Sequence, residues 1–134
     1  MKFLKTLKFA AALMFFTLLL SSCQDDDPYA NLTGTYTLSS STVDGASAGP
    51  VSGTLRFNAN KTGEIDITYV AGNTQYTLEG GFNFTADDTQ IILNPGASDE
   101  EKWKRVEDEK NKQSFAFDVT QAGDVKGVVL TFTK

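Results

Sequence analysis

The chain has 134 residues, room for one domain rather than two, with no histidine and a single cysteine, Cys23. The missing histidine removes the commonest general base and metal ligand, and a lone cysteine forbids an internal disulfide. Formal charge is −5, from 12 basic and 17 acidic residues. An acidic chain suits nucleic acid poorly, because phosphates demand a basic face.

The first 22 residues read apart from the rest. Lys2, Lys5 and Lys8 make a positive start, and Phe9 to Leu20 is apolar except for Thr17. As a helix that run spans roughly 18 Å at about 1.5 Å per residue, short of the ~30 Å hydrocarbon core. It therefore reads as a secretory signal and not a permanent membrane span. Leu20-Ser21-Ser22-Cys23 comes next and resembles the lipobox of bacterial lipoproteins. That resemblance implies diacylglycerol on the Cys23 thiol, cleavage before it, and acylation of the new amine. Two or more acyl chains anchor stably where one is marginal. Gln24-Asp25-Asp26-Asp27 resembles the acidic export signal that takes lipoproteins of the Bacteroidota to the outer face of the outer membrane. A plain solvated tether, facing the periplasm, is the alternative. Without the three lysines at the start, the balance is 9 basic to 17 acidic residues, near −8. The expected division is a signal over 1–22, a lipidated acidic tether over 23–31 and a folded domain over 32–134.

From Leu32 on, apolar residues recur every second position, the strand period. In chain order the alternating sets are Tyr36/Leu38, Val51 to Ala59, Ile65/Ile67/Tyr69, Tyr76/Leu78, Phe82/Phe84, Ile91/Leu93, Phe115/Phe117/Val119 and Val128/Leu130/Phe132. Turn residues separate most of them: Asn60-Lys61-Thr62-Gly63, Ala71-Gly72-Asn73, Ala86-Asp87-Asp88 and Ala122-Gly123-Asp124. Gly80-Gly81 is either a tight turn or a bulge in one long bent strand. Ser41 to Pro50 is a longer loop. One stretch departs from the pattern. Ser98-Asp99-Glu100-Glu101 has the form of a capping box, and Trp103 and Val106 lie three apart with Lys102, Lys104, Arg105 and Lys110 off their stripe. This predicts a short helix near 99–110, with Trp103 packing it on the rest.

The fold class is all-β. Eight strands with one apolar face each must close into a small antiparallel barrel or stack as a two-sheet sandwich. Short connections make neighbours antiparallel. Gly34-Thr35-Tyr36-Thr37-Leu38 resembles the opening strand of the small lipocalin-like lipoproteins of the Bacteroidota, where a glycine followed two residues later by an aromatic starts the barrel. Leu55-Arg56-Phe57-Asn58 with Lys61-Thr62-Gly63 resembles their next hairpin. The resemblance covers most of 32–134. It implies a barrel whose inward aromatics Tyr36, Phe57, Tyr69, Tyr76, Phe84 and Phe117 contact a ligand. The bulk of those rings argues instead that they fill the interior.

Little here reads as catalytic chemistry. A serine or cysteine nucleophile lacks its base. Glu64, Asp66, Glu79 and Asp118 could serve a two-carboxylate hydrolase, but the alternation puts them on solvated faces. Asp87-Asp88 and Asp99-Glu100-Glu101 lack the spacing of a calcium loop. No metal and no cofactor is expected. The reading is a membrane-anchored, non-catalytic module for a small apolar ligand, a glycan or a peptide. The alternative is an accessory subunit of an outer-membrane surface complex.

Overall fold

The computed structural model describes residues 27–134. The expected signal, the lipobox Leu20-Ser21-Ser22, Cys23 and Gln24 to Asp26 lie outside the described residues.

Nine strands follow one another: β1 Gly34–Val43, β2 Ala46–Ser47, β3 Ser52–Phe57, β4 Thr62–Ala71, β5 Thr74–Ala86, β6 Gln90–Leu93, β7 Glu101–Glu109, β8 Lys112–Gln121 and β9 Asp124–Thr133. The sheet runs β1-β3-β4-β5-β6-β7-β8-β9, and β9 returns to β1 through Leu38↔Phe132 to Val43↔Val128. Eight antiparallel strands thus close a barrel, and β2 is a short arm folded back on the end of β1. Closure satisfies most of the backbone groups that a sandwich would leave at its sheet edges.

The predicted alternation decides which side chains enter. Tyr36, Leu55, Phe57, Ile67, Tyr69, Phe84, Trp103, Phe115, Leu130 and Phe132 are all buried. Phe57 sits at the centre, its ring 4.9 Å from that of Phe84 and 5.9–6.4 Å from those of Tyr36, Phe82 and Phe115. These separations and tilts are those of packed rings, so the middle of the barrel is filled by aromatics.

Close packing also dictates backbone. A Cβ on Gly53 would lie 2.0 Å from the Asp66 carbonyl oxygen of the neighbouring β4. Only glycine lets these two strands approach so closely. Gly80 takes φ +137° inside β5, whose ladder to β4 runs through Ile65↔Gly80 and Glu64↔Gly81 with no register shift, so Gly80-Gly81 is neither a turn nor a bulge but part of one long strand.

The expected helix near 99–110 does not form; among the described residues there is none. That stretch is β7, paired with β6 from Gln90↔Lys104 to Leu93↔Glu101 and with β8 from Lys104↔Ala116 to Glu109↔Lys112. The register slips between Arg105 and Glu107, so Val106 is a bulged residue on the outside, 51% exposed. The bulge breaks the period of two and turns Asp108 inward beside Arg105. The three-residue spacing of Trp103 and Val106 arises from this bulge. The acids that suggested a cap close a loop instead: Glu100 accepts from the Gly96 N–H at 2.7 Å and Asp99 from the Asn94 amide at 2.9 Å.

The chain before β1 plugs one end of the barrel, here called the base. Leu32 is buried, and the Tyr29 ring lies 5.9 Å from that of Phe84 with the Lys61 ammonium 4.8 Å above it. Tyr29 Oη accepts from the Ala86 N–H at 3.0 Å. Tyr36 Oη donates to the Asn31 carbonyl. Arg105, expected on a solvated face, lies in the base instead. Its Nη1 donates to the carbonyls of Pro28 at 2.7 Å and Asp87 at 2.9 Å, and Nη2 lies 2.7 Å from Asp108 Oδ1. That last contact is an ion pair without hydrogen-bond alignment. Gln113, wholly buried, donates to the same Asp108 oxygen at 2.8 Å and to the Glu109 carbonyl at 2.9 Å. Asp27, the last residue of the acidic run, is exposed where the chain enters this plug.

Candidate functional site

One side of the barrel is incompletely closed. β6 has four residues and pairs with β5 only at Phe84–Ala86. β7 pairs with β8 only from Ala116 toward the base. The half of β5 before Gly80 therefore extends past the tip of the β6–β7 hairpin, and Phe117–Gln121 of β8 run beside and beyond Glu101–Trp103 with no ladder to them. Each keeps a ladder on one flank alone, β5 to β4 and β8 to β9. Between them lies a window. Its lower end is sealed by Asn94, which donates its N–H to the Asn83 carbonyl at 2.7 Å and accepts from the Asn83 N–H at 3.1 Å. Its upper end is tied by Gln121, whose Nε2 donates to the Ala71 carbonyl at 2.6 Å and to Tyr76 Oη at 2.9 Å.

Behind the window is a groove of about 480 Å³, lined by Tyr69, Tyr76, Leu78, Trp103, Phe117 and Val119. A side recess of about 180 Å³ continues past Ile65, Gly80, Gly81 and Phe82. Two stacked ring pairs form the floor. Tyr69 and Tyr76 lie 5.3 Å apart at 14°, Trp103 and Phe117 5.0 Å apart at 17°, and Tyr69 meets Phe117 edge-on at 5.9 Å. In each pair one ring is deep and one is half-buried: Tyr69 and Trp103 are 2% and 1% exposed, whereas Tyr76 and Phe117 show part of their surface to solvent. Leu78 and Val119 beside them are also half-buried. These residues alternate as core residues do but lack a covering strand.

The rim is acidic. Glu79, Asp99, Glu101 and Asp118 border the two recesses, against Lys102. Glu101 Oε2 accepts from the Trp103 indole N–H at 3.1 Å, which fixes the ring plane of the floor. Lys102 lies 3.9 Å from Glu100, with most of its side chain in solvent. Burial, aided by Tyr76 and Glu101, pushes the Tyr69 hydroxyl up to about 12. The phenol stays neutral at any physiological pH.

The six aromatics read as ligand contacts divide in two. Tyr69, Tyr76 and Phe117 meet at the window. Tyr36, Phe57 and Phe84 belong to the sealed core, and burial, with a smaller contribution from Asp108, pushes Tyr36 up to about 12. Trp103 and Leu78 complete the window. Trp103, expected to pack a helix, stands on β7 instead, where the bulge at Val106 hides the strand period from the sequence.

The other acidic candidates scatter. Asp66 and Glu79 stand opposite each other on the outer face of β4 and β5, and Arg56 pairs with Glu64 across β3 and β4. Asp87 turns the β5–β6 hairpin: it accepts from the Thr89 N–H at 2.7 Å and the Gln90 N–H at 2.9 Å, which holds its carboxyl below the usual range. Among the described residues no three acidic groups converge as a metal site. The chain matches no protein-family model and no curated protein.

Proposed function

We propose that this chain is a non-catalytic binding module, tethered by lipid on Cys23, that takes its ligand on the aromatic floor of the side window. The supporting observation is the half-exposure of Tyr76, Leu78, Phe117 and Val119, inward-facing apolar residues of a barrel whose middle is otherwise filled. A soluble domain that leaves stacked rings and aliphatic groups together in a recess has a surface suited to a partner. On this reading the lipocalin-like lipoprotein resemblance holds for the barrel and the anchor, while the ligand sits at the wall and not in a central cup. The tether at Asp27 enters at the base, where Tyr29 meets Ala86 at the far end of β5 from the window. Display on the outer face of an outer membrane then leaves the window pointing away from the bilayer.

The test of the site is a titration of the full chain in non-ionic detergent with cellobiose, cyclohexanol and the peptide Ac-Lys-Val-Lys-Val-Lys-Val-NH2. Resonances of Tyr76 and Phe117 should shift saturably with at least one probe, and Phe117→Ala should abolish the response. If no probe moves them, or Phe117→Ala leaves the response intact, the window is not the site. The anchor is tested separately. Cys23→Ala should leave the membrane fraction, and a variant that stays in the pellet defeats the lipid tether. Protease applied to intact cells should remove the domain; survival would place it on the periplasmic side.

A further inference from the structure

We infer that the occupant of the window is an extended peptide of alternating apolar and basic residues, added as a strand to the free edge of β5. This rests on the window being the binding site and names what it takes.

Three features carry it. The first is the edge itself. Thr74 to Glu79 are laddered to β4 from Ala71↔Thr74 to Asp66↔Glu79, and nothing pairs with them on the other flank. Every second residue there turns its N–H and C=O toward the window, a row of about 20 Å at roughly 3.4 Å per residue. Proteins ordinarily blunt such edges with bulges, prolines or lysines. This stretch, Thr-Gln-Tyr-Thr-Leu-Glu, carries none of the three.

The second is the side-chain pattern on that edge. Tyr76 and Leu78 face the groove, and Thr77 and Glu79 face out. A strand laid beside β5 shares its pleat, so its residues alternate in the same way. The inward set meets Tyr76, Leu78, Phe117 and Val119, which accept aliphatic groups. The outward set meets the rim.

The third is charge. Glu79, Asp99, Glu101 and Asp118 face Lys102, itself beside Glu100, with Lys126 near the upper end against Gly72. The excess of carboxylates favours lysine or arginine at the outward positions. The same charges argue against a second copy of this chain. In antiparallel self-pairing Glu79 would lie opposite Thr74, so the β5 edge of a second copy offers this acidic rim one glutamate and uncharged residues and none of the basic groups the rim favours.

The experiment uses the full chain in non-ionic detergent and three peptides: Ac-Lys-Val-Lys-Val-Lys-Val-NH2, its Glu-for-Lys counterpart, and the lysine peptide N-methylated at two adjacent central residues. Adjacent residues donate on opposite edges, so the methylated peptide loses a donor whichever edge it presents. The lysine peptide should bind at least tenfold more tightly than each of the others. It should protect the amides of Thr74–Glu79 from hydrogen exchange, and Asp118→Lys with Glu79→Lys, both exposed, should cut its affinity about tenfold. Equal binding of the methylated peptide, or no protection of β5, overturns strand addition. Equal binding of the glutamate peptide overturns the charge assignment. A stable dimer by light scattering that masks the same amides overturns the peptide in favour of a second copy. Saturable cellobiose or cyclohexanol binding at Phe117 without any peptide binding overturns this inference while the window remains the site, and no binding of any probe removes both.

Discussion

Arg105 joins three separate segments at the base of the barrel, and its removal should be among the costliest single changes. Its guanidinium holds the carbonyls of Pro28 and Asp87 and lies against Asp108. In Arg105→Ala the two carbonyls lose their donor, and Asp108 loses its counter-charge. Breaking a buried ionic group by removing one partner costs about 3–5 kcal/mol. Asp108 keeps 38% of its side chain exposed and can rehydrate, which puts the expectation near the lower bound, about 3 kcal/mol. For a domain of this size that corresponds to a melting shift of roughly 12 °C, at about 4 °C per kcal/mol. Arg56→Ala is the control. Its pair with Glu64 leaves 48% and 64% of the two side chains exposed, and such pairs contribute about 0–1 kcal/mol. Arg105→Lys should fall between the two, because one ammonium cannot reproduce a fork that spans two carbonyls. Urea unfolding followed by the emission of Trp103, the only tryptophan, reads all three. The midpoint should move with the slope unchanged. If Arg105→Ala and Arg56→Ala differ by less than about 1 kcal/mol, the base is not held together as described.

Two further outcomes follow from the interior. Tyr36 and Tyr69 have hydroxyls raised to about 12 from an ordinary value near 10, so the folded state retains protons that the unfolded chain releases between those values. Their contribution is complete below pH 10 and is lost as pH climbs toward 12, about 1–2 kcal/mol each once solvent screening of the hydroxyls is allowed for. Stability against urea should drop over that interval, and Tyr69→Phe should flatten the drop; an unchanged alkaline slope in the variant refutes the assignment. Gly53→Ala would drive a methyl into the Asp66 carbonyl, so β3 and β4 must separate. It should cost more than 2 kcal/mol, whereas Val106→Ala on the outer bulge should stay within about 0.5 kcal/mol in the same melts.

The strand pattern was legible because each strand of a small barrel has one wet and one dry face, and that alternation is written residue by residue. Phe57, Ile67, Phe115 and Leu130 are in the core for this reason, and the all-β class follows from the same signal. β7 was not legible. An arginine inside the base and a one-residue bulge at Val106 together erased the period of two, and the acids before it mimicked a helix start. Arg105 turns inward only because the segment from Pro28 to Leu32 folds under the barrel and offers it carbonyls, a contact across 77 positions of chain.

The division between the two sources of structure follows from range. Local alternation and turn chemistry are properties of neighbouring residues, so the chain by itself determined the strand segments other than β7 and the short β2, and which of their faces are apolar. Closure, by contrast, depends on the length of each strand relative to partners far away in sequence. That β6 stops after four residues, leaving Tyr76 and Phe117 uncovered and the edge of β5 unpaired, was decided only when the strands came together.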